Sequence, residues 1–157
     1  MKKFKTGIVG CGRIGSLLEK DPLRGKPCTH AGGFSALPAI QLSAGCDIDP
    51  ERLQKFGERW NVEGLYSDYR EMLAKENLDI LCIATWTSLH ASMTMEAAKA
   101  GIKGIFCEKQ LKLHFLLNYY YTKNMSSDAQ TTYIVVICIN FEDIFVIYLR
   151  FGDIFVD

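Results

Sequence analysis

The sequence predicts an α/β fold with a doubly wound parallel sheet, and three observations carry the prediction. Short β-rich runs alternate with segments of helical periodicity as far as residue 108. Two of the runs, Ile80-Leu81-Cys82-Ile83-Ala84 and Ile105-Phe106-Cys107, are continuously apolar, as strands covered on both faces are. The first run ends in Gly10-Cys11-Gly12-Arg13-Ile14-Gly15, where a helix is due to begin.

Taken in order, the first strand is read at Thr6–Gly10, after a basic lead-in from Met1 to Lys5. That lead-in resembles the start of a signal peptide but lacks the apolar run that export requires. A helical pattern follows over Arg13–Glu19. Lys20 to Pro38 carries glycine, proline and His30 with little periodicity, and reads as a long loop of the kind that is usually functional or mobile. A second strand spans Ile40–Asp47, and Asp49 before Pro50 caps a helix over Pro50–Trp60, with proline at its first position. Gly64-Leu65-Tyr66 reads as a short strand, and Ser67 as a plain cap for a helix over Asp68–Lys75. Strand Asp79–Thr85, helix Leu89–Ala100 and strand Lys103–Glu108 complete the alternation, with Gly101 as the helix stop. After Lys109 glycine and alanine nearly vanish and aromatics crowd in; Tyr133–Ile139 and Ile144–Leu149 are strand candidates there.

Composition narrows the function classes. The 157 residues suit one domain with a real core, and 48% apolar with 23% charged is the balance of a soluble globular chain. Eighteen basic and eighteen acidic residues cancel, so no field of one sign recruits nucleic acid or an anionic membrane. A small-molecule ligand is expected instead. The apolar stretch from Tyr133 to Phe151 is interrupted by Asn140, Glu142 and Asp143, and a central acid costs roughly 2.5–3.5 kcal/mol in a bilayer, so no membrane span is expected. The six cysteines lie far apart, without a C-x-x-C pair or zinc spacing. A reduced, cytoplasmic setting and no metal are expected.

The glycine pattern carries the chemistry. In Gly10-x-Gly12-x-x-Gly15 the first glycine permits a tight turn, the second lets backbone approach a pyrophosphate, and the third lets helix and strand pack closely. Backbone N–H groups of Cys11, Arg13 and Ile14 complete the phosphate cradle at the helix start. A ribose-binding acid belongs at the end of the second strand, about 20 residues on. Asp47 stands at that end, although it lies 32 residues beyond Gly15, and the long loop absorbs the excess. A carboxylate there accepts ribose hydroxyls and repels a 2′-phosphate, which favours NAD over NADP. Asp49 shares this position or serves only as a helix cap, and Arg52 keeps NADP open as the lesser alternative.

These residues, with Ala84-Thr85-Trp86-Thr87-Ser88-Leu89-His90, Asp47-Ile48-Asp49-Pro50-Glu51-Arg52 and Cys107-Glu108-Lys109, resemble the glucose–fructose oxidoreductase and inositol dehydrogenase family (Gfo/Idh/MocA) over residues 4–109. The resemblance implies a Rossmann-type NAD(P)-binding domain of an oxidoreductase acting on sugars, cyclitols and related alcohols. It implies that Lys109 is the catalytic lysine of a Glu-Lys-Pro motif beside Glu108, polarising the reacting oxygen. It places Ile48, Ala84, Thr85 and Thr87 around the cofactor, together with His90, which serves either the cofactor or only local backbone groups. Trp86 stands where the family usually has proline. The family's second α/β domain, which holds substrate and commonly builds the homo-oligomer, has no counterpart in residues 110–157.

Gln110 stands where the family's proline is expected. Restoring one lost C before its codon converts CAA or CAG to a proline codon and turns the next into Ile, Val, Thr or Ala. Residues 110–157 are therefore expected to be out of frame, with a divergent tail that adds strands as the rival reading. The DNA around codon 110 decides between them: an intact downstream frame encoding a second domain is the expected result, and its absence favours the rival.

Overall fold

The computed structural model describes residues 3–108, 133–139, 144–150 and 153–155. Strands β1 (Phe4–Val9), β2 (Ile40–Cys46), β3 (Gly64–Tyr66), β4 (Ile80–Ile83) and β5 (Gly104–Cys107) alternate with helices α1 (His30–Ser35), α2 (Pro50–Trp60), α3 (Tyr69–Lys75) and α4 (Thr87–Lys99). Three further strands, β6 (Tyr133–Ile139), β7 (Ile144–Arg150) and β8 (Asp153–Phe155), extend the same sheet. The sheet order is β3-β2-β1-β4-β5-β6-β7-β8. Pairing is parallel through β5–β6 and antiparallel for β6–β7 and β7–β8. The first six strands thus have the doubly wound order, which reverses direction between β1 and β4.

Side-chain alternation sends neighbouring residues of each strand to opposite faces. Val9, Leu81, Ile83, Ile105 and Cys107 point into one core with Tyr69 and Met72 of α3 and Met93 and Ala97 of α4. Ile8 and Cys82 point into the other with Ala31 of α1 and Phe56 of α2. This two-sided burial is why β4 and β5 read as unbroken apolar runs. Among the described residues, no helix is long and apolar enough to cross a membrane.

Local chemistry sets the helix ends. The Asp49 carboxylate accepts from Glu51 N and Arg52 N ahead of Pro50, and α2 ends at Asn61 in the left-handed region. Gly101 follows α4 with φ +85°, its N–H on the Ala98 carbonyl. At α3 the cap is Asp68, whose carboxylate accepts from Arg70 N at 2.8 Å, and not Ser67; a carboxylate at that position also suits the helix dipole.

The expected helix over Arg13–Glu19 and loop over Lys20–Pro38 need correction. Residues 13–16 form turns, Leu17–Lys20 is a 3-10 turn, and α1 lies inside the expected loop. One helix has been spliced. His30 N donates to Ile14 O and Ala31 N to Gly15 O, both at 3.0 Å, bonds that residues 18 and 19 would make in an uninterrupted helix. The excursion therefore amounts to twelve inserted residues, and subtracting them from 32 leaves the expected spacing of 20 between Gly15 and Asp47. Glu19 pins the excursion: its Oε2 accepts from Thr29 Oγ1 at 2.6 Å and from Cys28 N at 3.1 Å. Thr29 in turn caps α1 by accepting from Gly32 N.

Deleting residues 18–29 joins Leu17 to His30 in helical register. Because insertions in surface loops cost little, the shortened chain is expected to fold with its thermal midpoint within about 5 °C of the parent. Loss of cooperative unfolding would refute the splice.

Candidate dinucleotide site

The C-terminal edge of the sheet gathers the sequence-predicted residues into one row. Gly10 N donates to Cys46 O, Asp47 N to Tyr66 O, Ala84 N to Val9 O and Glu108 N to Ile83 O, so each follows its strand while still bonded to the neighbour. The row spans the reversal between β1 and β4, where open α/β sheets hold ligands.

The three glycines of the turn have different causes. Gly10 has φ +95°, and a Cβ there would lie 2.5 Å from the Ala84 carbonyl oxygen. A Cβ on Gly15 would lie 2.0 Å from Gly10 O, so only hydrogen lets the helix start seat on the strand end. A Cβ on Gly12 would meet nothing within 4 Å. The fold itself therefore has no need of glycine at position 12. Among the described residues, none accepts a hydrogen bond from the N–H groups of Gly12, Arg13, Ile14 or Gly15. Four orphan donors at a helix start beside open space form an anion cradle.

Cys11 contributes only its backbone. Its side chain is fully buried, the thiol lies 3.6 Å from Cys46 O, and burial followed by the Asp47 carboxylate holds its pKa far above the ordinary thiol range. Burial likewise pushes Cys46 up to about 12, so both stay protonated at neutral pH. The Cys11 N–H donates to Asp47 Oδ2 at 2.9 Å, and Asp49 N donates to Oδ1 at 2.9 Å. Asp47 is buried at 8% exposure and is aimed at the glycine turn. Each of its oxygens keeps further lone-pair capacity. Arg52 Nε pairs with Asp49 at 3.2 Å.

Other predicted residues are placed as follows. Arg13, Ile14 and Ile48 are exposed beside the turn and the β2 end, Ile48 at 88%. Ala84, Thr85 and Thr87 are half-buried at the mouth of β4, with the Thr85 hydroxyl donating to Met93 Sδ at 3.5 Å. His90 is buried behind this mouth, and its Nε2 donates to the Thr85 carbonyl at 3.0 Å. It touches the loop backbone rather than the crevice. Trp86 is 82% exposed at the start of α4. Lys109 lies outside the described residues.

One residue escaped the sequence reading. His30 Nε2 lies 2.8 Å from Glu108 Oε1, bridging the spliced helix to the end of β5. Its signal was the His-Ala pair after a capping threonine, which stands in helical register with Gly15 only once the excursion is removed.

A glycine-turn domain with this row of residues matches a known family model, described as an oxidoreductase family with an NAD-binding Rossmann fold, over residues 4–115. The chain belongs to the Gfo/Idh/MocA family. This Gfo/Idh/MocA chain is 36% identical over 108 residues to the uncharacterized oxidoreductase YrbE of Bacillus subtilis, covering 69% of this chain and 28% of that protein. It is 30% identical over 111 residues to the myo-inositol 2-dehydrogenase of Thermotoga maritima, covering 71% of this chain and 29% of that protein. The WlbA dehydrogenase of Bordetella pertussis, solved with NADH and UDP-GlcNAcA, superposes with TM-score 0.57 at 31% identity, over 69% of this chain and 30% of that one. The family domain thus spans under a third of the length of the curated relatives it matches.

Thermal or urea unfolding separates the glycines. Gly15→Ala is expected to cost about 3 kcal/mol or more through its backbone clash. Gly12→Ala is expected to stay within about 0.5 kcal/mol of the parent. Equal losses would contradict the division of roles.

Proposed function

We propose that this chain holds NAD(H), in preference to NADP(H), as the cofactor portion of an oxidoreductase acting on a sugar, cyclitol or related alcohol. The open space above Gly12, floored by four unbonded amides, carries the reading. The unbonded N–H groups of Gly12, Arg13, Ile14 and Gly15 receive the pyrophosphate, with no Cβ in its way at position 12, while Gly10 and Cys11 shape the turn that presents them. Asp47, held by Cys11 N and Asp49 N, offers its remaining lone pairs to the adenosine ribose hydroxyls. Its charge opposes a 2′-phosphate, and Arg52 is engaged with Asp49. Ile48 flanks the adenine side, and Ala84, Thr85 and Thr87 flank the nicotinamide side. His90 acts through the Thr85 carbonyl it holds, as a positioning residue.

The nicotinamide, when bound, accepts or donates the hydride. Glu108 stands at the end of β5, and Lys109, next in the chain, polarises the reacting alcohol oxygen and stabilises its developing negative charge. Substrate recognition is assigned to the part of the family protein that this chain does not match, so the chain alone binds cofactor without turning substrate over. Residues 110–157 are proposed to be an out-of-frame stretch, a reading supported by Gln110 standing where the family's proline is expected. The addition of β6, β7 and β8 to the sheet favours the second reading, a divergent tail on a non-catalytic NAD(H)-binding module.

Mixing the chain with NADH is expected to enhance nicotinamide fluorescence, with Gly12→Val abolishing the change and Asp47→Ala erasing the preference over NADPH. Absence of enhancement would overturn the cofactor reading, and robust polyol oxidation by this chain alone would overturn the division of labour.

A further inference from the structure

The contact between His30 and Glu108 joins residues 78 apart in sequence and crosses the end of β4, which lies between β1 and β5. Both partners have fixed backbones. The His30 N–H is bonded to Ile14 O of the glycine turn, and the Glu108 N–H to Ile83 O of β4. The imidazole stands edge-on to Phe106 at 5.0 Å and 66°, and Phe34 meets the same ring edge-on at 5.9 Å. Those contacts restrict the imidazole and leave its Nε2 directed at Glu108 Oε1. The side chains are 13% and 22% exposed, so the bond is partly shielded from water. A carboxylate only accepts, so Nε2 carries the hydrogen and donates.

Glu108 stands at the end of the row opposite Asp47. If the adenosine half of a dinucleotide lies over Asp47, the nicotinamide half lies over β4 and β5. A glutamate side chain has three rotatable bonds, and a charge-assisted hydrogen bond from a packed ring restricts where its carboxylate lies.

We propose that His30 is a positioning residue for nicotinamide binding. By holding the Glu108 carboxylate against the spliced helix, it makes the pyrophosphate cradle and the end of β5 one rigid piece. The inference rests on the dinucleotide reading above. It adds that this histidine, outside the glycine turn, governs how the nicotinamide half is held while leaving the ADP-ribose half alone.

Two probes separate the halves: NADH, and ADP-ribose, which lacks the nicotinamide ring. His30→Phe keeps the packing on Phe106 and removes the donor. It is expected to weaken NADH about tenfold and to leave ADP-ribose within about twofold. His30→Gln, whose amide N–H reaches a similar point, is expected to restore NADH affinity. In a Glu108→Ala background, His30→Phe is expected to cost nothing further, the mark of a coupled pair. If His30→Phe does not fold, His30→Ala takes its place in the same cycle. Equal weakening of both ligands, no weakening of NADH, failure of rescue or additive losses in the cycle would each overturn the positioning role. If the parent chain binds neither probe, the dinucleotide reading itself fails, a result distinct from all of these.

Discussion

The contact on which the rest of this domain depends is between two pieces of backbone. The helix that leaves the glycine turn seats on the end of β1 so closely that a single carbon on Gly15 would lie 2.0 Å from the Gly10 carbonyl oxygen. Close packing of that kind fixes the helix axis relative to the sheet. The unbonded N–H groups of residues 12–15 follow the end of β1, at the sheet's C-terminal edge. Asp47 completes the arrangement from the neighbouring strand, since its carboxylate accepts the Cys11 N–H and so ties the turn to β2. A buried carboxylate is costly unless it is hydrogen-bonded, and here both oxygens are. The anion cradle and the acid beside it are thus parts of one hydrogen-bonded unit.

That unit tolerates a large interruption just beyond it. Residues 18–29 leave the helix after its first turn and return at His30 in register, so the ladder from Ile14 and Gly15 continues as though the chain had not left. Glu19 and Thr29 hold the excursion to itself, and Ser16 accepts from Trp60 Nε1 at 2.8 Å, anchoring the departure point to α2. The excursion lies outside both cores apart from its pinned ends, which explains how it coexists with an otherwise regular domain.

Much of this was legible in the sequence, and the reasons differ by element. Helix α2 opens on a signal inside its own segment, Asp49-Pro50, and its periodicity ends at Trp60, so local chemistry located it without tertiary help. Strands β4 and β5 declared their burial through unbroken apolar runs. Asp47 was found because a strand's end is a structural landmark that no loop insertion moves, even though simple counting placed it too far away. The first helix was misread because its hydrogen-bonding partners are not adjacent in sequence, and periodicity sees only neighbours. The same blindness hid His30, whose importance lies in a contact 78 residues away. At α3 two capping residues stood side by side, and the hydrogen bond from Arg70 N to the Asp68 carboxylate selects Asp68 over Ser67.

The sheet's outline has a further consequence for how copies of the chain behave toward each other. Its two outermost strands, β3 and β8, are three residues each, while the long strands β1, β2, β6 and β7 all lie inside. An exposed strand edge is a template for a second molecule, and a template of three residues offers only a few ladder bonds. A ladder begun on either outermost strand would run out after three residues, which limits edge-to-edge growth into larger aggregates from those two strands.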